Sequence, residues 1–457
     1  MRANRIRTLT GALGAAASLL LPAAAAAQPD TGSANFARYV ALGDSLTAGF
    51  EAASLHANAQ NNSYPALIHR QATGGASGFQ QPLISEPGIP GKLVLRTITA
   101  SGIPVITPET STGQPINLGA PAYQNLAVPG ADVHDVLATT AAAGGLHQII
   151  LRDPRFTALQ QALAQSPTFV TLWIGNNDVL GAATSGIVVE GVTLTPVAQF
   201  EADYRAITAA IAASGARMAI ANIPDVTTIP FVTTVSRFVT LPNGVVFNLV
   251  GPEGPIGPND FVLLSAAAAI QQGRGIPTQI GGAGPLGNEH VLSAAEVATI
   301  RARIAAYNAI IRAEATARGA AFVDINAALV DFAARGRNVG GIVLTPAFLT
   351  GGIFSYDGVH PTPIGYGLVA NEFIDSINAQ FDAEIPPANL APLMFGPGTL
   401  AASAGAADGG GKAMSFEGLL PFYFSPQAWN NLRWALRIPQ TLAVDHDPPR
   451  RRRRGRG

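Results

Sequence analysis

Five short apolar runs, Arg38 to Leu42, Ala122 to Val128, Thr168 to Ile174, Arg217 to Ile223 and Ala320 to Ile325, alternate with longer stretches of helical spacing. Strand and helix in alternation predict an α/β fold, a five-stranded parallel sheet covered by helices on both faces. Thr195-Pro196 reads as an N-cap and first helical residue. Behind it Phe200, Tyr204, Ile207 and Ile211 fall on one stripe, which stops at Gly215. Ser293 and Glu296 form a capping box for a long helix through Ile300, Ile304 and Ile311 to Gly319. A final helix opens at Thr362-Pro363 and runs to about Phe381, where "DAEIPPANLAP" marks a boundary.

Residues 51–120 and 231–292 break the alternation, the second with a hairpin signal in "LPNGVVF". Both read as insertions into a domain spanning residues 28–385. Residues 386–448 follow as a C-terminal extension and 449–457 as a disordered basic tail.

Composition narrows the class. A chain of 457 residues, 48% hydrophobic and 12% charged, can bury a large core. Arg2, Arg5 and Arg7 precede an apolar stretch from Leu9 to Leu21, and "AAAAAQ" offers an Ala-x-Ala cleavage site. Residues 1–27 therefore read as a signal peptide, and the protein as secreted or periplasmic. With no cysteine, its stability must come from packing alone. Three arginines of the signal and six of the tail set aside, 19 basic residues face 29 acidic ones, which argues against a nucleic-acid partner. The extension carries Trp429 and Trp434. This aromatic cluster is expected to pack on the domain, with contact to a membrane or lipid surface as the alternative.

Candidate chemistry begins at "YVALGDSLTAGF", where an apolar strand breaks at Gly43-Asp44-Ser45. Open α/β sheets place ligands beyond the carboxyl ends of their strands. "NLAVPGADV" ends the second run at Gly130, and "TLWIGNNDVL" ends the third with carboxamide donors. "YDGVHPTPIGY" sets Asp357 and His360 three apart, close enough for a carboxylate to orient an imidazole. In order and spacing these four stretches resemble the SGNH hydrolases, also called GDSL esterases and lipases, over about residues 36–381. The resemblance implies a flavodoxin-like three-layer αβα sandwich. It also implies Ser45 as nucleophile, Asp357 and His360 as its triad partners, and an oxyanion hole from Ser45, Gly130 and Asn177.

Asp44 and Asp178 read as structural acceptors and His134 as a surface helix residue. His56, His69, His147 and His290 lack ligand spacing, so neither metal nor cofactor is expected. No serine sits in G-x-S-x-G, and neither Lys92 nor Lys412 completes S-x-x-K, which sets aside the other common serine hydrolases. The expected protein is an exported serine esterase acting on small-molecule or lipid esters, foremost a lipolytic carboxylesterase. A polysaccharide O-acetylesterase, a thioesterase of the same fold and a non-catalytic binding protein are the alternatives.

Overall fold

A computed structural model describes residues 29–75, 78–100, 102–120, 122–241, 244–395, 420 and 422–437. The expected signal peptide and basic tail lie outside these residues. Four strands, β1 (Tyr39–Gly43), β2 (Phe169–Trp173), β3 (Arg217–Ala221) and β4 (Ala321–Val323), pair in parallel in that order. Every residue of β1 and β2 is buried.

Because successive side chains of a strand point to opposite faces, the sheet divides two cores. Val40, Leu42, Val170 and Leu172 join Phe200, Tyr204 and Tyr307 of the helices Val197–Ala213 and Ala294–Ala317. Tyr39, Ala41, Phe169 and Trp173 join Tyr64 and Phe373 of the helices Tyr64–Thr73 and Pro363–Phe381. The Phe200 and Tyr307 rings stack at 4.0 Å and those of Tyr64 and Phe373 at 4.5 Å.

The sequence reading departs from this structure in four places. The run at 122–128 lies parallel to β1 without the full ladder of the other four strands: Ala41 N donates to Gln124 O at 2.8 Å, Leu126 N to Ala41 O at 3.0 Å and Val128 N to Gly43 O at 3.1 Å, around one Ala41–Asn125 bridge. The Asn125 side chain takes the N–H of Ala127 at 3.2 Å and donates to Thr47 O at 2.9 Å. Residues 51–120 are more than an insertion, because their helix Tyr64–Thr73 belongs to a sheet-covering layer. Pro196 is the N-cap of its helix, which starts at Val197, since Thr195 N is drawn to Asp178 O at 3.0 Å. Finally, packing continues past residue 385, with Ala388, Leu393 and Met394 buried in the second core.

Other local signals appear as read. The Ser293–Glu296 capping box forms, and Thr362 caps the last helix with Pro363 in its first turn. Phe238–Thr240 and Val246–Asn248 make an antiparallel hairpin. In the extension, Tyr423–Phe424 pairs in parallel with Val105 and Ile106, and the helix Pro426–Ala435 follows. Phe422, Phe424, Trp429 and Leu432 are buried in the first core, whereas Trp434 remains 49% exposed. Among the described residues no helix is long and apolar enough to cross a membrane.

The docked extension is therefore part of the folded unit. Trp429→Ala is expected to lower unfolding stability by about 3–5 kcal/mol, the range for emptying a buried tryptophan site. Denaturant titration checks this, and a change below about 1 kcal/mol would mean that the helix adds nothing to the fold.

Candidate active site

β1 must end on a glycine, because a Cβ at Gly43 would collide with the Thr47 side chain and the Trp173 carbonyl. Asp44 then turns the chain: its Oδ1 accepts from Leu46 N at 2.9 Å and caps the four-residue helix Ser45–Ala48. As the first helical residue, Ser45 has an N–H with no acceptor inside the helix. Asp44 Oδ2 accepts from Asn176 Nδ2 at 2.8 Å, which ties the Ser45 loop to the loop after β2. Burial raises the Asp44 carboxyl to about 6, against the lowering pull of the Asn176 and Leu46 bonds and the His360 charge.

The loop after β2 opens the helix Asn177–Ser185 and holds the Gly130 loop from two sides. Asn177 Nδ2 donates to Ala131 O at 2.8 Å, and Asp178 Oδ2 accepts from Val133 N at 3.0 Å. The first bond fixes which end of the Asn177 amide is nitrogen, and its second hydrogen has no acceptor among the described residues. Asp178 is buried, and burial together with the Asp132 charge lifts its carboxyl well above the ordinary range. Gly130 lies in the left-handed region at φ 83°, and a Cβ there would collide with the guanidinium of Arg437.

Asp357 and His360 sit in the turn before the last helix, both buried. Asp357 Oδ1 accepts from Val359 N at 2.9 Å, His360 N at 2.8 Å and Ser355 Oγ at 3.1 Å. Its Oδ2 accepts from Ala53 N at 2.7 Å and pairs with His360 Nδ1 at 2.8 Å. Burial alone would raise this carboxyl, but the His360 charge and the hydrogen bonds outweigh it and hold the group below the ordinary carboxylate range. With Nδ1 donating to the carboxylate, neutral His360 carries its free lone pair on Nε2.

Ser355 Oγ also accepts from Ala52 N at 2.9 Å, and the Phe50 ring lies 4.9 Å from that of His360. The segment that leaves Ser45 is thus joined directly to the Asp357–His360 turn. Ser45 Oγ and His360 make no hydrogen bond to each other in this structure. Ser45, Gly130 and Asn177 are brought together by the loop bonds, and Asp357 and His360 by their own pairing.

Phe50, Ala53, Ser355 and Arg437 are the contributors that sequence reasoning missed. Only Ser355 carried a local signal, lying two residues before Asp357. His134 is exposed and pairs with Asp203 at 3.1 Å. His56 is buried between Glu51 at 3.4 Å and Glu86 at 2.9 Å, and these carboxylates outweigh burial to raise its pKa. Among the described residues no group of three or more His, Asp or Glu side chains could hold a metal ion.

Two cavities flank the site. One of about 600 Å³ is lined by Phe50 and Pro129 together with Arg433, Trp434 and Arg437. The other, about 120 Å³, is lined mainly by apolar side chains, among them Leu46 and Val359, the chain neighbours of Ser45 and His360.

Residues 39–373 match the family model of the GDSL-like lipase/acylhydrolases. The chain belongs to this family. Solved structures similar to it include LAE5, an α/β hydrolase enzyme from the metagenome of Lake Arreo, Spain, at 14% identity and TM-score 0.35, covering 76% of this chain and 97% of that one. A catalytic mutant of Axe2, an acetylxylan esterase from Geobacillus stearothermophilus, shares 14% identity at TM-score 0.36, covering 74% of this chain and 93% of that one. No curated protein matches the chain.

Asp44 generates a pH test. Its native carboxyl, near 6, binds a proton more tightly than the unfolded one at about 3.8, so the native state holds more protons between those values. The stabilisation is complete below the unfolded value and is lost as pH rises through about 6. Its size is about 3 kcal/mol. Asp44→Asn is expected to abolish this slope, because an amide does not titrate, and rotation of Asn176 can turn its unpaired Oδ1 toward the new amide. Unfolding free energies of both proteins across this range decide it, and parallel curves would contradict the assignment.

Proposed function

We propose that the protein is an exported serine esterase that hydrolyses carboxylic esters through an acyl-enzyme. The observation that carries this reading is the buried Asp357–His360 pair, bonded at 2.8 Å and tied through Ala53 to the segment that leaves Ser45. The export part rests on the signal-like residues 1–27.

In this mechanism His360 Nε2 takes the Ser45 proton as Oγ attacks the ester carbonyl. The Ser45 N–H, the Gly130 N–H and the Asn177 amide receive the negative charge on the carbonyl oxygen. Collapse of the tetrahedral intermediate breaks the bond to the alcohol, which leaves with the proton from His360. Water then attacks the acyl-enzyme, giving its proton to His360. Release of the acid returns that proton to Ser45. Throughout, Asp357 holds the imidazole and stabilises its charged form.

The apolar cleft beside Leu46 and Val359 supports a lipolytic carboxylesterase that seats an acyl chain there. Trp434 favours a second reading, since a half-exposed indole at the larger cavity is a platform on which a sugar ring can stack. In a series of nitrophenyl esters, chains longer than acetate are expected to react fastest. Fastest turnover of acetate, with deacetylation of acetylated xylan, would install the O-acetylesterase instead.

Removing single groups separates the proposed roles. Ser45→Ala is expected to lose on the order of 10⁶ in kcat and to resist a fluorophosphonate probe. Asn177→Ala is expected to lose roughly 10² to 10³ in kcat with KM little changed, and to label slowly. Full turnover by the Asn177 variant, or labelling that persists in the Ser45 variant, would overturn the assignment. A folded wild-type chain that neither labels nor hydrolyses would favour a binding protein.

A further inference from the structure

Residues 422–437 lie outside the stretch matched by the family model, yet they form one wall of the larger cavity beside the site. At about 600 Å³ the cavity is large enough for a substituent of a small ester. The same cavity is lined by Phe50, whose ring lies 4.9 Å from that of His360, and by Pro129, which precedes Gly130. Arg437 has φ 51°, and its guanidinium lies against Gly130.

The charges at this cavity are not balanced. Of its lining residues only Asp135 is acidic, against Arg433 and Arg437. Asp135 already completes the capping box with Asp132 and accepts from the Thr139 hydroxyl. Its contact with Arg437 is 3.4 Å, longer than the 2.7–2.9 Å of a charge-assisted bond. Arg433 forms no ion pair among the described residues. His147 also lines the cavity, 7% exposed, and its Nε2 has no hydrogen-bond partner among the described residues. Two guanidinium groups and a buried imidazole whose Nε2 has no partner thus line the cavity that Phe50, the ring packed on His360, also lines, in a chain whose body is otherwise acidic.

We propose that this cavity receives an anionic substituent of the ester substrate, a carboxylate or phosphate carried beyond the scissile bond, and that Arg437 with Arg433 selects it. The inference rests on the ester-hydrolase reading above. A guanidinium presents parallel N–H groups that match two oxygens of such an anion, whereas a neutral ester leaves both arginines to water.

Matched ester pairs test it in the full-length protein. Phenyl butyrate against 4-carboxyphenyl butyrate places the charge on the alcohol side, and nitrophenyl butyrate against nitrophenyl hemiglutarate places it on the acyl side. At low salt one anionic member is expected to show a kcat/KM roughly tenfold above its neutral partner, and added salt should shrink the ratio. In the Arg433→Ala, Arg437→Ala double variant the ratio should fall about tenfold, and Arg437→Lys should keep part of it. The ratio is the readout because a general loss of activity cancels from it. Equal treatment of neutral and anionic esters by the wild type, or a preference that survives the double substitution, overturns the inference while hydrolysis stands. Failure of the wild type on every ester, with Ser45 inert to fluorophosphonate, overturns the hydrolase reading and this inference with it.

Discussion

The Asp357 carboxylate organises the site. It is fully buried, and an isolated carboxylate in that position would be strongly disfavoured. Five donors make it tolerable: Ser355 Oγ, the N–H groups of Val359, His360 and Ala53, and the His360 imidazole. Four belong to the turn itself. The fifth, Ala53, comes from the segment that leaves Ser45. The turn and that segment cannot move apart without leaving a buried charge short of a partner, a loss of about 1.5–3 kcal/mol per bond to a charged group.

The same logic recurs at the other loops. Asp44 joins the Ser45 loop to Asn176, and Asn177 and Asp178 join the loop after β2 to the Gly130 loop. Three loops at one end of the sheet are thereby held by acidic and amide side chains rather than by apolar packing alone. The strands below supply the rigid frame, since β1 and β2 are buried along their full length. These acidic groups are costly in isolation and stabilising in their network. That is the expected character of a site whose precision is needed more than its stability.

Much of this was legible in the chain. The four paired strands were visible because strands covered on both faces read as unbroken apolar runs, and the helix caps because their side chains act locally. Of the four motif stretches, the fold ties the Asp44, Gly130 and Asn176–Asp178 loops to one another and pairs Asp357 with His360. What stayed hidden was non-local. The run at 122–128 is apolar enough for a strand and lies along β1, but only three backbone bonds join the two. The helix Tyr64–Thr73 was obscured by the Gly-, Pro- and Ser-rich sequence around it. Nothing in any periodicity could bring Arg437 to Gly130, or Ala53 to Asp357, across some 300 residues of chain.

Asp357→Asn tests the organising role of this carboxylate most directly. The substitution keeps the size of the side chain but presents an amide where His360 Nδ1 must donate, so the imidazole is forced into the wrong tautomer. Turnover of a soluble nitrophenyl ester should fall by about 10⁴, with the thermal unfolding transition still cooperative. A folded Asp357→Asn variant with near wild-type turnover would contradict the orienting role of Asp357 toward His360.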